Sequence, residues 1–503
     1  MNVARNKRES LQSVGVLETE VAIIGTGFAG MCMAIQLKQD GQDDFVVLER
    51  AGSVGGTWRD NNYPGAACDV PSHMYSLSFE PNPNWSRKYP TQPELRAYLE
   101  DVAQKHNLLP HIRFNSKVLG AEWNEAEQLW IIQTGQGTVK AHKLVSGNGG
   151  LAEPKLPDIK GVESFKGHHF HSSQWDHQYD LKNKRVAVIG TGASAIQFVP
   201  EIAKHVGRLD LYQRTPNWII PRPDRPYSAL EKSLFTRIPL VRKLHRNFIY
   251  WTHELRVLGM VINPRLMKIF QSLAAGHIRK QIQDPALRAK VTPDYTIGCK
   301  RILISNDWYP AVSRSNVDLI TTGIREIREN AIVTADGAAR EVDCLIFGTG
   351  FYATENPIAE VIVGKNGQKL SQAWADGEEA YQGTLVKGFP NLFFIVGPNT
   401  GLGHNSMVFM IETQVQYIRK LLAQLRSSGG GALEVRADVQ DAYNRDLQKR
   451  LGGSIWATGC QSWYKHKSGK ITALWPSFTF TFWLRLHKLR INEYLMTKRA
   501  VTA

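Results

Sequence analysis

The chain has 503 residues, 43% hydrophobic and 21% charged, a balance that fits a globular protein and a length too great for one core. Its 61 Lys and Arg exceed its 46 Asp and Glu, yet no dense basic block or nucleic-acid motif accompanies the surplus, so nucleic acid is not the expected partner. No apolar run reaches the roughly 18 residues of a membrane-spanning helix. The first eighteen residues are polar, lack the apolar centre of a secretory signal, and read as a tail on a cytoplasmic protein.

Residues 21–30 read VAIIGTGFAG, an apolar strand running into Gly25, Gly27 and Gly30 and then into the helical pattern MCMAIQLKQ. Glycines there let the chain turn tightly and approach a diphosphate, whose charge rests on free amides at the helix N-terminus. A second apolar strand over residues 45–48 ends at Glu49, whose carboxylate can accept hydrogen bonds from ribose hydroxyls. With Phe28 and Arg50 beside these positions, the unit reads as a site for a dinucleotide without a 2′-phosphate. The five cysteines, Cys32, Cys68, Cys299, Cys344 and Cys460, are odd in number and lack CxxC spacing, so neither a disulfide framework nor a metal site is expected.

The same unit returns at residues 185–197, RVAVIGTGASAIQ, with Gly190, Thr191, Gly192, Ser194 and Gln197, and with Ala195 where the third glycine would stand. Gly25 lies 24 residues before Glu49, and the same step from Gly190 lands on Arg214. A cation there, with the Thr215 hydroxyl beside it, favours a 2′-phosphate, so this half is expected to take NADPH. Each unit also has a closing strand followed by small residues: KLVSGNGG at 143–150, and DCLIFGTGF at 343–351 with Gly348, Thr349 and Gly350.

The expected fold class is α/β, with two Rossmann-like dinucleotide-binding domains and a helical insertion in the second. Residues 1–150 and 347–503 are read as the first domain, the latter part carrying the substrate pocket; 151–224 and 296–346 are read as the second. Residues 225–295 are apolar at helical spacing and laced with Arg and His. A lid packed on the enzyme is preferred there over an element that touches a membrane surface, and membrane contact is not expected.

Between the units stand Phe165, Gly167, His171, Trp175 and Asp176 in the spacing FxGxxxHxxxWD, and upstream residues 55–69 read GGTWRDNNYPGAACD. Together these resemble the two signatures of the Baeyer–Villiger monooxygenases, and the likeness runs from about residue 19 to beyond 480. It implies FAD in the first unit, with Gly56, Thr57, Trp58, Tyr63 and Tyr75 close to it, and NADPH in the second. The implied reaction uses O2 and turns a ketone into an ester or lactone through a flavin peroxide. His171 is taken as structural.

The segment 298–309, GCKRILISNDWY, resembles the family's Lys-Arg strand. Arg301 then matches the catalytic arginine, Lys300 a partner of the NADPH phosphate, and Asp69 the acid that holds the arginine in place. From the sequence alone an ordinary ion pair remains open, and so does contact between residues so far apart. Pro398, Asn399, Thr400 and Leu402, in the Gly-rich turn after residues 389–397, are read as lining both flavin and substrate, with a plain strand-to-helix connection open for any one of them, and Trp463 and Trp475 as weaker pocket candidates. The alternative function is a flavin-containing monooxygenase acting on nitrogen or sulfur. A disulfide reductase would need a cysteine pair where only Cys68 stands. Monomer and dimer are equally open.

Overall fold

The computed structural model describes residues 15–460 and 462–499. The tail expected over the first eighteen residues lies outside that description as far as residue 14, and Leu17 already opens a strand. β1 (Leu17–Ile24), α1 (Phe28–Gln39) and β2 (Phe45–Leu48) follow in the order that the glycine pattern requires. Next come β3 (Ile112–Arg113), a hairpin of β4 (Val118–Asn124) and β5 (Leu129–Thr134), and the long β6 (Gly137–Ser146). β3, β2, β1 and β6 lie parallel in that order. Ala22 and Ile23, neighbours that point to opposite faces, are both fully buried, so both faces of the sheet are covered and the strand is an unbroken apolar run.

β7 (His168–His171), β8 (Arg185–Ile189), α2 (Ala195–Ile202) and β9 (Arg208–Tyr212) begin a second unit. Four helices occupy the expected insertion: α3 (Ala229–Arg237), α4 (Pro239–Glu254), α5 (Met267–Gln281) and α6 (Pro285–Val291). β10 (Val317–Ile320) and β11 (Cys344–Phe347) complete an all-parallel sheet in the order β10, β9, β8, β11, β7. β12 (Leu392–Phe394) then returns to the first sheet and pairs with β6. The place beside the end of β6, beyond its pairing with β5, is thus filled by a late strand, and the matching place beside β11 by an early one.

β7 grows out of the FxGxxxH stretch. Phe165 is buried, and a Cβ on Gly167 would lie 2.5 Å from its ring, so glycine alone fits. His171 is buried with Nδ1 2.9 Å from Ser173 Oγ, and burial lowers its pKa to about 4, which keeps it neutral. Trp175 packs on Phe170 and Phe198, and Asp176 pairs with His168 at 3.1 Å.

The chain crosses between the units twice, and the crossings are tied together. Lys155 N donates to Gly350 O at 2.9 Å, and Tyr352 N donates to Glu153 O at 3.0 Å. After β12, α7 (Met407–Ser427) packs on α1, and α8 (Thr479–His487) packs on α7. No helix among the described residues is long and apolar enough to cross a membrane.

One expectation is corrected. Cys299 and Cys460 form a disulfide across a sequence separation of 161 residues, while Cys32, Cys68 and Cys344 are buried free thiols. Tertiary folding brings the pair together, so no local spacing announces it.

Burial pushes Glu378 up to about 7, against a hydrogen bond from Asn356 N at 3.0 Å. A folded-state pKa above the unfolded value means that the folded protein holds the proton longer, so this group's contribution is lost as pH rises from about 4.5 through 7. Glu378→Gln is expected to gain about 1–3 kcal/mol at pH ~8 and nothing at pH ~4, measured as urea midpoints at both values. An equal gain at both would contradict this.

Candidate active site

Gly25, at φ 92°, turns the chain out of β1, and a Cβ there would come within 3.0 Å of Gly147 O. Gly30 is more constrained, since a Cβ would sit 1.9 Å from Gly25 O. Gly30→Ala is therefore expected to force α1 off the turn at a cost of about 1–3 kcal/mol or more. Gly276→Ala in α5, where a Cβ meets nothing within 4 Å, should instead gain about 0.5–1 kcal/mol. Thermal midpoints of the two variants moving in the same direction would refute the contrast.

At Gly56 a Cβ would approach Gly27 Cα to 2.9 Å, and a Cβ on Gly27 would have only Gly56 Cα near it, at 3.8 Å. Two bare backbones therefore face each other at the start of α1, leaving room for a diphosphate to reach free amides. Glu49 is buried at the end of β2. Thr26 donates to its Oε2 from N and Oγ1 at 3.0 and 2.6 Å, while Ala51 N and Arg59 Nη1 reach Oε1 at 2.9 and 3.0 Å. These contacts hold the carboxylate rigid. Arg50 turns toward Glu153, Asp60 and Ala152 O, and so ties the first unit to a crossing segment.

The GGTW loop is braced by aromatic edges. Trp58 Nε1 donates to Tyr75 Oη at 3.3 Å, and Tyr75 meets Phe28 edge-on at 5.2 Å. Thr57 opens the short helix Thr57–Asp60, and its carbonyl accepts from Asn61 Nδ2 at 3.1 Å. Tyr63 Oη donates to Gln197 Oε1 at 2.9 Å, and Gln197 Nε2 donates to Ala67 O at 2.9 Å. A helix of the second unit thereby clasps a loop of the first. The Ser194 hydroxyl also interacts with the Tyr63 phenol.

In the second unit a Cβ on Gly190 would lie 2.3 Å from Gly348 O, repeating the Gly25–Gly147 approach. Beside Gly192 a Cβ would meet nothing within 4 Å, so the turn is open. Thr191 is buried and its carbonyl accepts from Asn217 Nδ2 at 2.7 Å, whereas Thr349 Oγ1 donates to Lys155 O at 2.5 Å and, like Gly350, belongs to a crossing segment. Arg214 is exposed just past β9, with Thr215 half-buried next to it. Lys300 sets its ammonium over the Tyr295 ring at 4.8 Å, and its pKa is lowered by burial and then by Arg214. Two cations so close together form a ready anion site.

Arg301 and Asp69 meet. Arg301 donates to Asp69 Oδ2 from Nη2 at 2.6 Å and from Nε at 3.0 Å, and Nη1 lies 3.5 Å from Leu402 O. Burial opposes the charge on Asp69, but the guanidinium outweighs it and holds the carboxyl below its ordinary value; Asp69 in turn raises Arg301. The two side chains are 33% and 30% accessible, and they open onto a cavity of about 60 Å³. Its walls include Leu402, His404 and Asn405 from the chain after β12, His253, Arg256 and Met260 from α4 and the turn beyond, and Met267 and Phe270 from α5. Burial takes His253 to about 4, so it faces the cavity neutral.

These insertion residues are not legible in the sequence, because their helical pattern reads equally as packing. His253, Met260 and Met267 are buried there, and Arg256 and Phe270 half-buried. Trp463 is exposed, and Trp475 is buried with Nε1 donating to Phe478 O at 3.1 Å; neither lines the cavity. Tyr464 lies beside Arg301 instead, and burial pushes its phenol up to about 12. Asn399, at φ 56°, donates from Nδ2 to Ile471 O and Leu474 O at 2.7 and 3.1 Å, and its buried Oδ1 has no partner among the described residues. Thr400 Oγ1 donates to Gly397 O at 2.6 Å.

A Baeyer-Villiger monooxygenase of Pseudomonas aeruginosa is 53% identical to this chain over 487 residues, covering 96% of the chain and 92% of the relative. The chain belongs to the Baeyer–Villiger monooxygenase family. A Baeyer-Villiger monooxygenase of Streptomyces coelicolor is 48% identical over 482 residues, covering 95% of the chain and 93% of the relative. Among solved structures, OTEMO in complex with FAD and NADP superposes with a TM-score of 0.86 at 27% identity, covering 95% of this chain and 99% of that one. The family model described as pyridine nucleotide-disulphide oxidoreductase matches residues 22–238, the stretch that holds both glycine turns. The two cysteines within the matched residues, Cys32 and Cys68, are buried free thiols.

Proposed function

We infer that this protein is an NADPH-dependent flavoprotein Baeyer–Villiger monooxygenase that binds FAD and uses O2 to convert ketones into esters or lactones. The single observation that carries the reading is a fixed cation, Arg301, clamped by Asp69 on the wall of a small cavity. The groove between Gly27 and Gly56, the open side of Gly192 and the unpartnered Oδ1 of Asn399 fit the two cofactors. Gly25, Gly27, Gly30 and Glu49 would hold FAD, with the Trp58–Tyr75 pair and Asn399 near its ring; Gly190, Gly192, Arg214 and Lys300 would hold NADPH. Bound FAD supplies the oxygen-activating chemistry.

The chain's own residues do the rest. Arg301 stabilises negative charge where it develops, and the cavity limits water, which strengthens that interaction. Asp69 keeps the guanidinium oriented and charged. We further propose the division into a first domain of residues 1–150 and 347–503, a second of 151–224 and 296–346, and the insertion 225–295. Anaerobic reduction by NADPH, then mixing with oxygen over a panel of ketones and sulfides, tests the reading. Esters are the expected products; sulfoxides without esters would give the heteroatom class, and hydrogen peroxide alone would give an oxidase.

A further inference from the structure

The helical insertion exposes more apolar surface than a packed lid needs. Along α4, Leu240, Leu244, Phe248 and Trp251 are 56% to 68% exposed, and Leu255 just past its end continues the stripe. Their spacing of three or four residues places them on one helical face. Ile249, His253 and Glu254 on the opposite side are buried, so the helix is seated with its apolar stripe outward. The Trp251 ring lies 6.1 Å from Phe480, and one turn further along α8 stand Trp483 and Leu484, 42% and 57% exposed. Ile262, and Ile269 and Leu273 of α5, are exposed as well. Contiguous apolar area of this kind marks an interaction site.

Charge selects the partner. Residues 225–295 hold thirteen Lys and Arg against four Asp and Glu, most of the chain's net +15. Between residues 237 and 273 the only carboxylate is Glu254, which is buried, whereas Arg237, Lys243, Arg265 and Lys268 are exposed. A second copy docked by two-fold symmetry would set these cations against themselves. An anionic bilayer satisfies both the apolar stripe and its basic rim.

We propose that α4, the turn after it, α5 and α8 form a monotopic docking face for anionic phospholipid bilayers. No helix among the described residues spans the membrane in this arrangement. Met260, Met267 and Phe270 on the inner side of the same elements line the Arg301 cavity, so a lipid-dissolved substrate has a short path inward.

The test is co-sedimentation of the full-length flavoprotein with vesicles of phosphatidylcholine, alone or mixed with phosphatidylglycerol. Binding is expected only with the anionic lipid, weakening with salt. Phe248→Ser with Trp251→Ser, and separately Lys243→Glu with Lys268→Glu, should each weaken it about tenfold or more. NADPH oxidation in solution should be unchanged in both, which excludes misfolding. Absence of vesicle binding, or binding that neither variant alters, overturns the proposal. So does a wild-type dimer, seen by sedimentation velocity, that the Phe248→Ser, Trp251→Ser variant dissolves while vesicles are ignored, because the face would then belong to a second copy.

Discussion

Arg301→Ala is expected to lower the rate of ester formation about a thousandfold while NADPH still reduces the bound flavin. The guanidinium is a cation on the cavity wall held by a carboxylate, and Asp69 fixes it through two donor contacts to one oxygen. Removing it takes away a preorganised charge that cannot be replaced quickly in a cavity of about 60 Å³. Oxygen consumed without product should then appear as hydrogen peroxide. Arg301→Lys keeps the charge but loses the planar fork, so a partial loss with more uncoupling is expected. The decisive measurement is the ratio of ester formed to NADPH oxidised. A ratio equal to wild type in Arg301→Ala would remove this residue from the chemistry and leave it as a structural partner of Asp69.

The second large effect is expected at Arg214. Its guanidinium lies close enough to the Lys300 ammonium to lower that group's pKa, and the two cations together would take the 2′-phosphate that distinguishes NADPH from NADH. A charge-assisted hydrogen bond contributes about 1.5–3 kcal/mol, so Arg214→Glu should raise KM for NADPH roughly 10–100-fold, and more once repulsion is added. The KM for NADH should change little, which converts an NADPH enzyme into one with weak preference. Lys300→Ala tests the pairing, since it should move the same constant in the same direction. Equal increases for both coenzymes would mean that Arg214 maintains the fold of the turn and does not read the phosphate.

Much of this is legible in the sequence, for identifiable reasons. Gly25, Gly30 and Gly190 carry their reason locally, as each faces a backbone oxygen that a Cβ would strike. The equal steps to Glu49 and Arg214 reflect the equal lengths of two strand–helix–strand units, so counting residues placed both. Arg301 and Asp69 were different. Their contact spans 232 residues and is made by the meeting of two units, so only resemblance suggested it. The Cys299–Cys460 bond was invisible for the same reason. The cavity residues of α4 and α5 were hidden by degeneracy: a helical apolar pattern says that one face is covered, but not by what. Here the two faces differ, with Met260, Met267 and Phe270 inside and the Phe248 stripe outside.

The split of the first sheet bears on how the chain is made. β12 follows every strand of the second sheet, so the edge of β6 at Leu144–Ser146, beyond the stretch that β5 covers, stays unpaired until residue 394 has been synthesised. The second sheet has all five strands once residue 347 is made. During synthesis from the N-terminus the unit begun later is therefore the first that can close. The unit begun first must wait with the end of one β6 edge uncovered at Leu144–Ser146, and a chain that stops between residues 348 and 391 would carry a finished second sheet beside an incomplete first one.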